Sequence, residues 1–325
     1  MSSAKAAAFV ALMFALGVAL DRTSQSALEE FPLPWMVATL HFGAGLLWIF
    51  PAWTIGMRQT PRLSDTQKKR VAPLAFLHAA GHLCVLGAGS LAVTQVFQAA
   101  EPVVVSVMSL VVGSGGKQHL VAWLALVLAT AGVLMTFREG ITAGSVVTNS
   151  VAAFAALLSS ARTALSDQVM VEEAVALKGQ LCSMVFVSGT LFLIPFAVIM
   201  EGAQLSEQWD RASASIGSTA LIVKLIQGGT LLYMWSECLF GLVEEAGAVA
   251  AAVAVAVRPV AVYAFFAVLV EHRLKIEMPA TRVVQLQLFW ARGGGGGAIP
   301  TIAWWLVLRL SWEGAGRRGD WREAV

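Results

Sequence analysis

The chain has 325 residues, of which 58% are hydrophobic and 13% charged, with a formal net charge of +2 and a mean hydropathy of +0.74. A soluble domain carries about 25% charged residues, so an ordinary soluble protein is excluded, and the near-neutral balance gives no basic surface for nucleic acid. Long apolar runs without alternation exclude a transmembrane β-barrel and leave helical spans, whose backbones satisfy their own hydrogen bonds in lipid.

A hydropathy window of about 20 residues places spans at 5–21, 34–55, 72–90, 91–113, 119–137, 147–167, 180–200, 217–241, 246–270 and 288–311. The expected fold is an all-α integral membrane protein of about ten transmembrane helices, forming one transporter domain with a tail over 312–325. The first run, Ala6 to Leu20, has the look of a signal peptide, but it leads into further spans and reads as a first transmembrane helix. No Arg- and Ser-rich leader precedes it, so no transit peptide is expected. The second loop carries Arg58, Arg62, Lys68, Lys69 and Arg70. With an even number of spans it shares a side with Lys5, Lys117, Lys178 and the tail arginines Arg317, Arg318 and Arg322. The opposite loops carry Arg22, Arg138, Arg211, Arg273, Lys275 and Arg282. That imbalance puts both termini in the cytosol or its equivalent.

The fourth span carries Gln98, Glu101 and Pro102 in its middle, and the ninth carries Arg258 and Pro259 between a small-residue half and a bulky half. The strings EPVVV (101–105) and RPVAV (258–262) superpose about half a chain apart. Each half holds five spans, an odd number, so the second half enters the membrane from the other side. Two inverted five-helix repeats are expected, about 5–140 and 147–311, with tight hairpins at 87–90 and 243–247. An ionisable residue beside a helix-breaking proline in matching places of two halves points to a transporter's binding site.

Glu101, Arg162, Lys224 and Arg258 stand deep in apolar runs, each costing about 2.5–3.5 kcal/mol at mid-helix on the insertion scale. Gln98 and Glu101 are three residues apart and share a helical face. Two readings of the pair stay open: Glu101 and Arg258 lock the hairpins as a buried ion pair, or Arg258 offers its fork to an anionic substrate with help from Arg162. Lys224 snorkels toward an interface. His78 and His82 are one turn apart, a spacing that suits either packing or a metal, with no third ligand beside them. His82 faces a cavity or the core, His41 is structural, and Tyr233 either faces the cavity or packs. Glu244 and Glu245 are solvated at the end of span eight, where Glu237 is harder to dismiss. Cys84, Cys182 and Cys238 form neither a disulfide framework nor a zinc spacing and are buried, inert thiols. Trp35, Trp48, Trp53, Trp123, Trp304 and Trp305 form an interfacial belt. Gly293 to Gly297 loosen span ten, lead flexibly into it, or have no role. No cofactor, metal set or nucleophile–base constellation is present, so an enzyme is not expected.

Several stretches resemble the sugar-phosphate (triose-phosphate) translocator family of the drug/metabolite transporter superfamily. They are ALEEFPLPWMVATLHFGAG (27–45), HAAGH followed by VTQVFQAAEPVVVSVMS, SSARTALSDQVM (159–170), LLYMWS and AVRPVAV. The resemblance runs from about Ala19 to about Val270. It implies ten helices in inverted halves, alternating access, and exchange of a phosphorylated metabolite for phosphate or another such ester. It also implies substrate-binding roles for Arg258, Arg162, Tyr233 and His82, the tyrosine match needing one gap. The chain departs from the family at Gln98 and Val257, where lysines are expected, and at SQS (24–26), which replaces a basic, amide-rich stretch. Each missing charge is worth about 4 kcal/mol in a poorly screened cavity.

The expected function is therefore antiport of phosphorylated sugars or related organic anions across a bilayer, with Arg258, Arg162, Tyr233, His82, Gln98 and Glu101 as the substrate-binding set. The alternatives are a proton-coupled carrier of a nucleotide-sugar or a less charged metabolite, using Glu101, and a transport-inactive relative. A plastid envelope and a Golgi or ER membrane both fit.

Overall fold

The computed structural model describes residues 3–61, 64–112, 126–127, 130–131, 145–172 and 180–269. Most of the expected fifth span, all of the tenth, the glycine run at 293–297, the tail and the loop charges Arg62, Lys117, Arg138, Lys178, Arg273, Lys275 and Arg282 lie outside the described residues. So do Trp123, Trp304 and Trp305.

Helix α1 covers Ser3–Glu30 and runs nine residues past the expected span end at Asp21, because no Gly or Pro interrupts the stretch from Arg22 to Glu30. α2 covers Pro34–Thr54 and starts on proline, whose missing N–H costs nothing in a first turn. α3 covers Asp65–Gly87 behind a capping box: Ser64 Oγ accepts from the Gln67 N–H at 3.2 Å and Gln67 Oε1 from the Ser64 N–H at 2.9 Å. α4 covers Leu91–Gln98 and α5 Glu101–Val112, with a turn at Ala99 and Ala100 between them. α6 covers Val146–Glu172 and α7 Leu181–Glu201. A 3-10 turn over Gly202–Gln204 leads to the short amphipathic α8, Leu205–Ile216. α9 covers Ser218–Ala246 and α10 Ala248–Leu269. The single residue between them, Gly247, turns the chain with φ 86°, a left-handed value that glycine adopts without steric cost.

Among the described residues, the expected ten spans in two inverted repeats are not found. Among the described residues, four stretches are long and apolar enough to cross a membrane: Lys5–Glu30, Pro34–Thr54, Asp65–Gly87 and Leu181–Ile216. α6 and α9 have 27 and 29 residues but interleave too many polar groups, and Glu101–Val111 and Ala248–Arg258 are apolar but short. The two proline motifs also behave differently. The chain breaks at Ala99 and Ala100, and Pro102 sits in the first turn of a new helix, where no N–H is needed. α10 stays helical through Pro259, as membrane helices tolerate. Similar local strings thus give a broken segment at 99–100 and an unbroken helix through Pro259.

α2 is flanked by α7 and α9, α3 packs on α6 and α7, α5 on α6 and α10, and α1 on α9. Lipid tails are as apolar as leucine, so close fit, more than water exclusion, holds such helices together. Phe42 and Phe186 stack at 4.8 Å between α2 and α7. Each ring lies over a glycine of the opposite helix, Phe186 over Gly45 and Phe42 over Gly189. α9 approaches α2 through Gly228 and Gly229, which lie against His41. Glu201, at the end of α7, accepts from the Trp35 N–H at 3.1 Å and the Met36 N–H at 2.9 Å, placing a carboxylate at the positive end of the α2 dipole. The outer side of α7 exposes Leu191, Ile194, Val198 and Ile199, the surface a multi-pass membrane protein gives to lipid.

Candidate functional site

Two faces of the bundle frame the site. At the first lie the α1–α2 and α3–α4 junctions; at the second lie the α2–α3 connection and Gly247. α1 and α9 run antiparallel between them. Lys224 Nζ donates to Ser26 Oγ at 3.0 Å near the first face, and Phe9 lies against Gly241 near the second. Lys224 thus ends on a hydroxyl of α1.

Between these faces a cavity of about 50 Å³ is lined by Asp21 from α1, His78 and His82 from α3, Gln98 from α4, Arg162 from α6 and Arg258 from α10. Trp235 from α9 completes it. His78 and His82, four residues apart, share one face of α3, and Gln98 enters because α4 ends there. The structure therefore brings together His82, Gln98, Arg162 and Arg258, four residues far apart in the chain.

Arg162 Nη1 donates to His78 Nδ1 at 3.2 Å. A guanidinium cannot accept, so Nδ1 accepts and His78 Nε2–H donates to Ser236 Oγ at 3.1 Å. Arg162 Nη2 donates to Thr163 Oγ1 at 3.3 Å, and the guanidinium lies 5.8 Å from the Trp235 ring centroid, within cation–π reach. Arg258 Nη2 pairs with Asp21 Oδ2 at 2.9 Å, and the same oxygen accepts from Gln95 Nε2 at 3.2 Å. His82 Nε2 lies 3.2 Å from His41 Nδ1, which makes the buried His41 a support beneath the site. The Nε atoms of Arg162 and Arg258 have no hydrogen-bond partner among the described residues.

Two expected site residues lie elsewhere. Glu101 is 1% exposed, is absent from the cavity lining, and neither carboxylate oxygen has a hydrogen-bond partner among the described residues. The Glu101–Arg258 ion pair, one of the two readings open in the sequence, is not formed: Arg258 pairs with Asp21 instead. Tyr233 sits toward the second face, where its hydroxyl accepts from Arg58 Nη1 at 3.2 Å. Arg58 also holds Glu237 with both forks, at 2.6 and 3.2 Å, and reaches Ser183 Oγ at 3.4 Å. Hydrogen bonding to Glu237 raises the Arg58 guanidinium above its ordinary pKa, so it stays charged.

A wider chamber of about 310 Å³ adjoins the cavity on the first-face side and shares Leu20, Asp21, His82 and Val85 with it. Ser24 and Gln25 of α1 and Ser90 of the α3–α4 junction line its outer part. Sequence reasoning missed Asp21, Trp235 and Arg58. For Asp21 the available signal was an acid one helical turn C-terminal to Gly17 on the same face. Among the described residues no group of three or more His, Cys, Asp or Glu is placed to hold a metal. The three cysteines are free thiols, Cys182 and Cys238 buried and Cys84 half-buried.

Residues 4–280 match the model of the Triose-phosphate Transporter family. The chain is 22% identical over 279 residues to the triose phosphate/phosphate translocator, chloroplastic, of Solanum tuberosum, which covers 83% of this chain and 65% of that protein. It is 24% identical over 220 residues to the glucose-6-phosphate/phosphate translocator 1, chloroplastic, of Arabidopsis thaliana, covering 64% of this chain and 54% of that protein. The matched region is thus less than two thirds of either relative's length. One solved crystal structure superposes with a TM-score of 0.51 at 13% identity, over 95% of this chain and 96% of its own, a likeness of fold alone.

Proposed function

The chain belongs to the triose-phosphate transporter family, and from that premise we propose that it is a secondary carrier exchanging small phosphorylated metabolites or related organic anions. The observation that carries this reading is the meeting of Arg162, Arg258, His82 and Gln98 around one cavity. Arg offers a planar fork that matches oxyanion geometry, and the Nε of each guanidinium has no hydrogen-bond partner among the described residues. The cavity has room for little more than a small anionic head, and the adjoining chamber of about 310 Å³ suits the rest of the ligand.

Alternating access is the mechanism we favour. The wide chamber leads toward the first face, while the Arg58–Glu237 pair, with Tyr233 and Ser183 around it, ties α2, α7 and α9 together at the second. Release of that pair would open the second face. Tyr233 then acts in closure, and Glu101 stands buried behind the site, outside the cavity lining. The chloroplastic relatives favour a plastid-type envelope over Golgi or ER.

Reconstitution of the full chain in liposomes tests this. Labelled phosphate inside should exit when phosphate or a sugar phosphate is supplied outside, and Arg258→Gln should abolish the exchange. Absence of counter-exchange with either anion, or full exchange by Arg258→Gln, would remove the reading.

A further inference from the structure

Arg258 already has an anion. Its Nη2 lies 2.9 Å from Asp21 Oδ2, and the two side chains are only 6% and 17% exposed. The carboxylate is not loosely placed: Gln95 on α4 donates to the same oxygen, and Asp21 is carried by the middle of a continuous helix. Asp21 lines both the inner cavity and the outer chamber, so it stands where the two join. A ligand passing from one to the other meets this carboxylate before it has full use of Arg258.

Two guanidinium groups, Arg162 and Arg258, and one carboxylate, Asp21, line the cavity, while Glu101 lies buried outside the lining. With His78 and His82 neutral, the lining carries one net positive charge. An oxyanion of one charge can share the guanidinium groups, taking Arg162 and the Nε side of Arg258 while Asp21 keeps Nη2. A second charge has no uncompensated cation to meet. It must sit close to the Asp21 carboxylate, or expel it from a place where a buried charge has few other partners.

Resting on the carrier reading above, we infer that Asp21 is a resident counter-anion that makes this site select singly charged over doubly charged oxyanions. It is a specificity-determining residue, and it acts by occupying one edge of Arg258.

Glucose 6-sulfate and glucose 6-phosphate separate the charges on nearly the same shape. At about pH 8 the sulfate ester carries one charge and the phosphate ester two, since the second phosphate pKa is about 6. Titration calorimetry on the purified full-length protein should find the sulfate ester the tighter ligand by about ten-fold. Asp21→Asn should reverse that order, chiefly by tightening the phosphate ester. If Asp21→Asn fails to fold, Asp21→Ser asks the same question, and the order in the unaltered protein is already decisive. Tighter binding of the phosphate ester by the unaltered protein overturns the inference and leaves the carrier reading standing. An unchanged ratio in a folded Asp21 variant does the same. Binding of neither ester overturns both, as does undiminished binding of both by Arg258→Gln.

Discussion

Gly17 and Arg258 are in contact across the α1–α10 interface: a Cβ on Gly17 would overlap the Arg258 guanidinium. The glycine lies one helical turn before Asp21, on the same face of α1, so the missing side chain is the space through which Arg258 reaches its carboxylate.

Gly17→Ala should therefore displace Arg258 and lower anion binding about ten-fold or more, since moving a binding group by about 1 Å is costly. Gly43→Ala is the control, because a Cβ at Gly43 meets nothing within 4 Å and alanine favours a helix by about 1 kcal/mol. Calorimetric binding and thermal melting of the two variants check this: loss of binding is expected only for Gly17→Ala.

The Arg58–Glu237 pair is partly exposed, its side chains 35% and 24% accessible, so it is worth about 1 kcal/mol. Glu237→Ala should raise the fraction open at the second face about five-fold, the equivalent of that energy. Cys182 and Cys238 are buried near this pair. Their reaction with a membrane-impermeant maleimide should quicken by a similar factor in the variant.

Ser236 is fully buried and its Oγ accepts a hydrogen bond from His78 Nε2–H. Ser236→Ala would leave that N–H buried without a partner, at a cost of about 1–3 kcal/mol. A lower melting temperature is expected, with Ser236→Thr closer to the parent. The same substitution lets His78 turn, so Arg162 loses part of its support and anion affinity should fall alongside stability.

Gly189 receives the Phe42 ring, and a Cβ there would stand 2.6 Å from Phe42 Cε1. Neither aromatic ring can yield, because Phe42 is stacked on Phe186 and both are fully buried. Gly189→Ala should cost about 1–3 kcal/mol by overpacking. Gly189→Ala with Phe42→Leu should recover much of it, and melting of the single and double variants reads the difference.

Arg162 and Arg258 stand out in the sequence because a guanidinium in an apolar run is costly unless a partner or ligand offsets it. Asp21 was hidden for the opposite reason. It stands beside Arg22, where hydropathy falls away, and so resembles the end of a span. Only the unbroken helix to Glu30 shows that it is interior to the bundle. Pro102 and Pro259 look equivalent in the sequence because their neighbours are similar. What separates them is position within a helix, first turn against interior, which tertiary packing decides and a local string does not carry. Family likeness alone points Tyr233 toward the site. Its hydroxyl lies with Arg58, 175 positions away, and no sequence pattern links the two.

The carboxylate of Glu201 also has a consequence for biosynthesis. It caps α2 from 166 positions downstream, so when the α1–α2 hairpin first reaches the bilayer the amides of Trp35 and Met36 have no carboxylate to meet. They must stay near headgroups or water until α7 has been translated. The hairpin is thus expected to ride shallow early in synthesis and to sink to its final depth only after α7 has left the ribosome.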